Sequence, residues 1–204
     1  ARHRYAQHRF HRRPFRSEPG VEIDLEHIDL VVVARERAGG LCRVTLAHVV
    51  QATVIGTSLR TSLPDAALAN GMLSSALLYE DTCLIMPGHA TATLLPVLLA
   101  IGEARHLSGQ ALLEAYVIGF ELEASLGPAI SPDHYERGWH ATATVGTMGA
   151  TAAACRLLGL DAERVRMALG IATSMAAGSR QNFGAMMQAF HSGVAARNGV
   201  TAAL

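Results

Sequence analysis

"SLPDAALANGMLSSALLYE", residues 62–80, carries the reading that sets the fold class. Pro64 and Asp65 stand at a helix start, where a missing N–H and a negative charge both suit the first turn. Leu68, Met72, Leu73 and Leu77 then recur at three- and four-residue spacing, which predicts a helix. Outward from it the same pattern repeats. "HATATLLPVLLAIGEARHL" (89–107) places Leu94, Leu95, Leu98 and Leu99 in the same way. "SGQALLEAYVIGFELEASLG" (108–127) opens on Ser108 as an N-cap and closes on Gly127 as the residue after the helix. "HATATVGTMGATAAACRLLGLDAERV" (140–165) gives a helix dense in small residues, ended by Gly159, after which Asp161 caps another running through Ala168 and Ile171. Gly146, Gly149, Ala150 and Ala153 would let a neighbouring helix approach closely. No strand alternation survives beyond "LVVV" (30–33), so the ordered part is expected to be all-α.

Composition agrees. The 204 residues are 50% hydrophobic and 17% charged, enough to bury a sizeable core, and the 5% aromatic content argues against a β-sandwich. Net charge is zero, which offers nothing to nucleic acid or an anionic membrane. All 17 basic residues counted as Lys+Arg are arginines, so no Schiff-base or lysine-base chemistry can come from this chain. Cys42, Cys83 and Cys155 show no CxxC spacing, and the expectation is free thiols in a cytoplasmic protein. The long uncharged stretch from Cys83 to Gly102 contains Pro87, Gly88, His89 and Pro96, which favours a buried helix over a membrane span. No signal-peptide pattern is seen at the start.

Residues 1–47 read differently, as an Arg/His-rich head followed by an acidic stretch and the Val run. That head is either a basic or metal-binding arm or a poorly ordered tail. It has no metal-ligand spacing, and the neutral total favours the tail. Residues 48–204 form the helical domain.

Candidate chemistry gathers around histidines near glycines. His89 follows Pro87-Gly88, His140 precedes Ala141-Thr142, and His191 sits in "QAFHSGVAARNG" (188–199). All three are placed at helix starts, which favour anions. Each is either a proton-transfer or carboxylate-binding group or an ordinary capped histidine. Asp81 is either a general base or a loop residue bonded to backbone. Arg180 and Arg197 either grip carboxylates with two bonds or are solvated charges.

Several phrases, in order over residues 50–204, resemble the MmgE/PrpD family. "DAALANGMLSSALLYEDT" (65–82) is similar to its Asn-Gly helix leading to an acidic Asp-(Tyr/Phe)-Asp-Asp-Thr motif. "PGHATATLLPVLLAIGEA" (87–104) looks like its Gly-His-Pro-Ser segment and Leu-Pro helix, and "GQALLEAYVIGFELEASLG" (109–127) like its Leu-Leu-x-Ala-x-x-x-Gly-(Tyr/Phe)-Glu stretch. "GWHATATVGTMGATAAACRLLGLD" (138–161) resembles its Gly-Phe-His-x-Thr helix, and "ALGIATSMAAGSRQNFG" (168–184) and "QAFHSGVAARNGVTAA" (188–203) complete the series.

The resemblance implies a large helical domain with a smaller α/β lid, usually dimeric, and a lyase that needs neither cofactor nor metal. Its members include 2-methylcitrate dehydratase and cis-aconitate decarboxylase, and some epimerise related dicarboxylates. It implies a small polycarboxylate substrate, dehydration of 2-methylcitrate being the first expectation. Asp81, His89 and His140 would handle protons, and Thr82, Gln188 and His191 would bind substrate. Dehydration needs one group to take a proton beside a carboxylate, one to protonate the departing oxygen, and donors for the charge that builds up.

Four positions depart from that pattern. Leu78 stands where the motif has an acid, Ser75 where a histidine is common, Glu80 where the second acid is Asp, and Gln188 where the family has lysine. Losing one charged contact in a buried site costs about 2–5 kcal/mol. Family members are about twice this length, so the chain is expected to lack the lid. An inactive helical remnant is therefore the competing expectation, with self-association through bared apolar faces.

Overall fold

The computed structural model describes residues 51–204, together with the backbone of two strands, β1 (Val31–Arg35) and β2 (Leu41–Thr45). The expectation for the basic head falls outside the described residues. β1 and β2 pair antiparallel, Val31 opposite Thr45 and Arg35 opposite Leu41, so the Val run is one strand of an antiparallel pair. Its β-branched residues suit a pleated strand.

The helical unit spans Val49–Leu204. It opens with a second small antiparallel pair, β3 (Ala52–Thr53) and β4 (Arg60–Thr61). Seven helices follow: α1 (Leu63–Ser75), α2 (Ala90–Arg105), α3 (Gly109–Ile130), α4 (Asp133–Glu136), α5 (Ala141–Leu158), α6 (Ala162–Met175) and α7 (Met186–Ala203). A single 3-10 turn, Arg180–Asn182, leads into α7. The unit is all-α apart from the short strands.

Local chemistry sets the boundaries. The Ser62 side chain accepts from the Asp65 N–H, with Pro64 in the first turn of α1. Ser108 and Asp161 cap α3 and α6 through the backbone N–H groups of Ala111 and Arg164. Gly159 ends α5 at φ 68°, a left-handed position that glycine takes without strain. Gly127 does not end α3, as the sequence suggests. The helix runs on to Ile130, and Gly127 is buried inside it because a Cβ there would lie 2.6 Å from Met86 Cβ.

Helix α5 is the central element, packed against α2, α3, α6 and α7, and it is buried along most of its length. Its small residues permit this: Gly149 accommodates the Glu123 side chain of α3, and Ala150 meets Gly199 of α7. Helices α1 and α7 press still closer, since a Cβ on Gly71 would sit 2.7 Å from Gly193 Cα. The buried residues of α1 are Leu63, Ala66, Ala67, Asn70, Gly71 and Ser75, with Leu68 and Met72 half-buried, while Leu73 and, past the helix end, Leu77 are exposed. Close backbone contact outweighs side-chain bulk in choosing the buried face.

Candidate functional site

Two helix starts, α2 and α5, are stitched together at one end of the domain. The loop after α1 folds back on itself through paired backbone bonds between Cys83 and Gly88, and so presents His89. The His89 N–H donates to Thr142 Oγ1 at 3.1 Å, joining the two helices. His89 Nδ1 lies 2.7 Å from the Asp81 carbonyl oxygen. A carbonyl only accepts, so Nδ1 carries a proton, and in the neutral tautomer the lone pair is on Nε2. The Glu80 carboxylate lies 4.0 Å from the same Nδ1, its side chain only 4% exposed.

Asp81 has a structural task. Its Oδ1 accepts from the Thr91 N–H at 3.0 Å, capping α2 because the His89 side chain makes no cap bond. A bond of this kind is compatible with either sequence reading of Asp81. Thr82 is exposed and makes no hydrogen bond to the described residues.

His140 begins α5. Its backbone N–H donates to the Gly178 carbonyl at 3.0 Å, and Arg180 N donates to Gly138 O at 2.8 Å. With the Trp139–Ser179 bridge these bonds form a short antiparallel ladder holding the segment before α7 against α5. His140 and His191 are both buried, with their Nδ1 atoms 2.9 Å apart. One Nδ1 must donate and the other accept, so the pair shares a single N–H···N bond and both Nε2 atoms are left over. Burial pushes the His140 pKa down to about 4, helped by the positive fields of His191, His89 and Arg180. Burial lowers that of His191 as well. Both shifts favour the uncharged rings. Phe183 meets the His140 ring edge-on at 4.7 Å.

His191 lies inside α7, one turn past its start, rather than at a helix entrance. On the preceding turn Gln188 accepts from the Gly184 N–H at 3.0 Å through its side-chain oxygen. It lines a groove of about 400 Å³ with Met72, Ser75, Leu78, Met186 and neighbouring small residues. No charged side chain lines this groove. Ser75 and Ser192 share a buried hydroxyl contact of 2.7 Å, tying α1 to α7 beside His191. Leu78, on the rim, has φ 56°, a left-handed conformation that leucine rarely adopts.

The structure thus joins His140 to His191 and His89 to Asp81, sets Gln188 in the groove, and leaves Thr82 outside. Sequence reasoning missed Phe183, Ser192 and the wholly buried Glu123. No local signal marks these three, whose roles come from contacts across the fold. Among the described residues no group of three His, Cys, Asp or Glu side chains is placed to hold a metal ion. No described helix is long and apolar enough to cross a membrane.

Residues 37–204 match the MmgE/PrpD N-terminal domain, and the chain belongs to the MmgE/PrpD family. It is 34% identical over 161 residues to the cis-aconitate decarboxylase-like protein oryM of Aspergillus oryzae, an alignment spanning 74% of this chain and 33% of that protein. To the cis-aconitate decarboxylase of Homo sapiens it is 35% identical over 144 residues, 68% of this chain and 30% of the relative. The Aspergillus terreus cis-aconitate decarboxylase is 32% identical over 158 residues, 74% and 32% of the two chains. The chain spans about a third of the length of these relatives.

Proposed function

We propose that this chain forms the helical part of a lyase acting on a tricarboxylate of the cis-aconitate or 2-methylcitrate kind, by acid–base chemistry on His140. The observation that carries this is the buried His140–His191 pair, with Nδ1 atoms 2.9 Å apart. A neutral imidazole with one nitrogen fixed by a partner is oriented to take or give a proton at the other. His191 is a positioning residue in this reading, holding the ring and sharing the charge when His140 is protonated. His89, with its proton directed to the Asp81 carbonyl, offers Nε2 as a second acceptor.

Both lyase reactions need such a group. In dehydration a proton leaves the carbon beside a carboxylate while the hydroxyl departs with another. In decarboxylation the electron pair of the broken C–CO₂ bond stays with the substrate and must be capped by a proton. The names of the relatives favour cis-aconitate as the first substrate to try. A homodimer is part of the same proposal, and the exposed Leu113 and Val117 of α3 supply apolar surface for it.

A second reading has its own support. The groove between α1 and the start of α7 is lined by Leu78 and Gln188 and carries no charged side chain, so it lacks an acid and a cation that polycarboxylate chemistry uses. On that reading the chain is a helical scaffold without turnover. Proton NMR in heavy water with cis-aconitate and with 2-methylcitrate decides between them. Product formation, or exchange of the proton beside the carboxylate, that vanishes in His140→Ala supports the lyase. Two unchanged spectra from a folded sample overturn it.

A further inference from the structure

Arg180 opens the 3-10 turn and is half-buried close enough to His140 for its charge to act on that ring. Its Nη1 donates to the Tyr135 carbonyl oxygen at 2.6 Å. Its guanidinium carbon lies 3.6 Å from the centroid of the Tyr135 ring, a stacked cation–π contact. Those two contacts fix the plane of the group and use one of its corners. Its Nε–H is sealed from solvent and has no hydrogen-bond partner. No carboxylate among the described residues pairs with it, although five other arginines have such partners.

On a guanidinium the Nε and the far Nη form one edge, which grips a carboxylate with two parallel bonds. A buried charged donor left without an acceptor is costly. An edge held in place by Tyr135 and left unfilled has the character of a binding site.

Phe183 lies beside the same guanidinium. Its ring centroid is 5.8 Å from the guanidinium carbon and 4.7 Å from the centroid of the His140 ring, so one side chain lies against both groups. The residue is 38% exposed, and Gly184 follows it at φ 80°, a position suited to glycine. Turning the ring outward would open the Arg180 edge and the His140 imidazole together.

We propose that the Nε edge of Arg180 is a carboxylate-binding subsite, uncovered by movement of Phe183, that holds an organic acid against His140. The identity of the acid rests on the lyase reading; the geometry of the subsite does not.

The test uses the 204-residue chain and tricarballylate, a saturated tricarboxylate with no hydroxyl or double bond to react. Binding is followed on the arginine Nε–H resonances by nitrogen-15 NMR. The Arg180 resonance should shift saturably. Arg180→Gln should weaken binding roughly ten- to a hundred-fold, and Arg180→Lys, which keeps the charge without the two-bond edge, by a smaller factor. Phe183→Ala should tighten binding, a gain that a purely structural Arg180 would not give. Unchanged Tyr135 and Gly138 amide signals in Arg180→Lys show that the loop is intact. Equal binding by wild type and Arg180→Gln, saturation without movement of the Arg180 resonance, or no binding even by Phe183→Ala would each overturn the subsite. Turnover of cis-aconitate that is indifferent to Arg180 sinks this proposal and leaves the lyase reading. Arg180-dependent binding without turnover does the reverse.

Discussion

Replacing Glu123 by glutamine should stabilise the helical domain increasingly as the pH rises. Glu123 is wholly buried between α2, α3 and α5, its Oε1 3.1 Å from Thr93 Oγ1 and its Oε2 without a partner. The Thr93 hydroxyl also lies 2.8 Å from the Ala90 carbonyl oxygen, and it has one proton for two acceptors. If Thr93 donates to Ala90, the second contact needs a proton from Glu123 itself. Burial drives the same way, pushing the Glu123 pKa from 4.5 to about 8, with the Asp81 charge adding to it. A carboxyl with a raised pKa contributes stability that is complete below about 4.5 and is lost as the pH climbs to about 8. At about 1.4 kcal/mol per unit, the loss between about pH 5 and pH 8 is roughly 3.5 kcal/mol, an upper value if the helices relax.

Glutamine keeps the shape and a donor but does not titrate. Its extra N–H adds a cost of about 1–3 kcal/mol that is the same at every pH. The quantity to read is therefore the slope. Urea unfolding of both proteins at about pH 5, 7 and 9 gives it directly. The difference should move toward the glutamine variant by up to roughly 4 kcal/mol over that range. Parallel profiles would refute the reasoning and show that the buried carboxyl does not hold its proton.

Three further outcomes follow from single positions. Leu78→Asn should stabilise by about 1 kcal/mol, because the left-handed backbone at φ 56° suits asparagine and not leucine; unchanged stability in denaturant would show that the leucine packs usefully. Gly71→Ala should cost about 1–3 kcal/mol despite alanine's better helix propensity, since the new Cβ would lie 2.7 Å from Gly193 Cα; a gain in melting temperature would deny the close seam. The His140 ring should titrate near about 4 by proton NMR, and its contribution to stability is present above about 6.5 and lost as the pH falls through about 4; a midpoint near 6.5 would mean the ring is open to water.

Helix periodicity was legible in the sequence, and its facing was only partly so. In α5 the run of Gly and Ala correctly announced close neighbours. In α1 the expected face was half right: Leu68 and Met72 lie against Gly193 of α7, but Leu73 is exposed and Leu77, 77% exposed, lies beyond the helix end, while Ala66 and Gly71 are buried. Counting apolar residues weighs volume, whereas this interface is set by how near two main chains can come. Gly127 failed similarly, because a glycine that ends a helix and one that admits a neighbour look the same in sequence.

The histidines stood out as residues, and the family motifs placed them. Their pairing did not stand out, since His140 and His191 meet only because α7 returns along α5. Arg180 was visible as a charge. Its unfilled edge and the ring beside it depend on Tyr135 and Phe183, which no spacing rule connects.

The seam between α1 and α7 also bears on how the chain is made. Gly71 and Gly193 touch, yet the ribosome delivers them more than a hundred residues apart. At about 5–20 residues per second, α1 spends roughly 6–25 s without the partner that fits its small-residue face. Until α7 emerges, α2 and α5 also lack part of their cover, so the nascent domain cannot close piecemeal from its first helix. Synonymous codon changes between these positions would lengthen or shorten that wait without altering a single side chain.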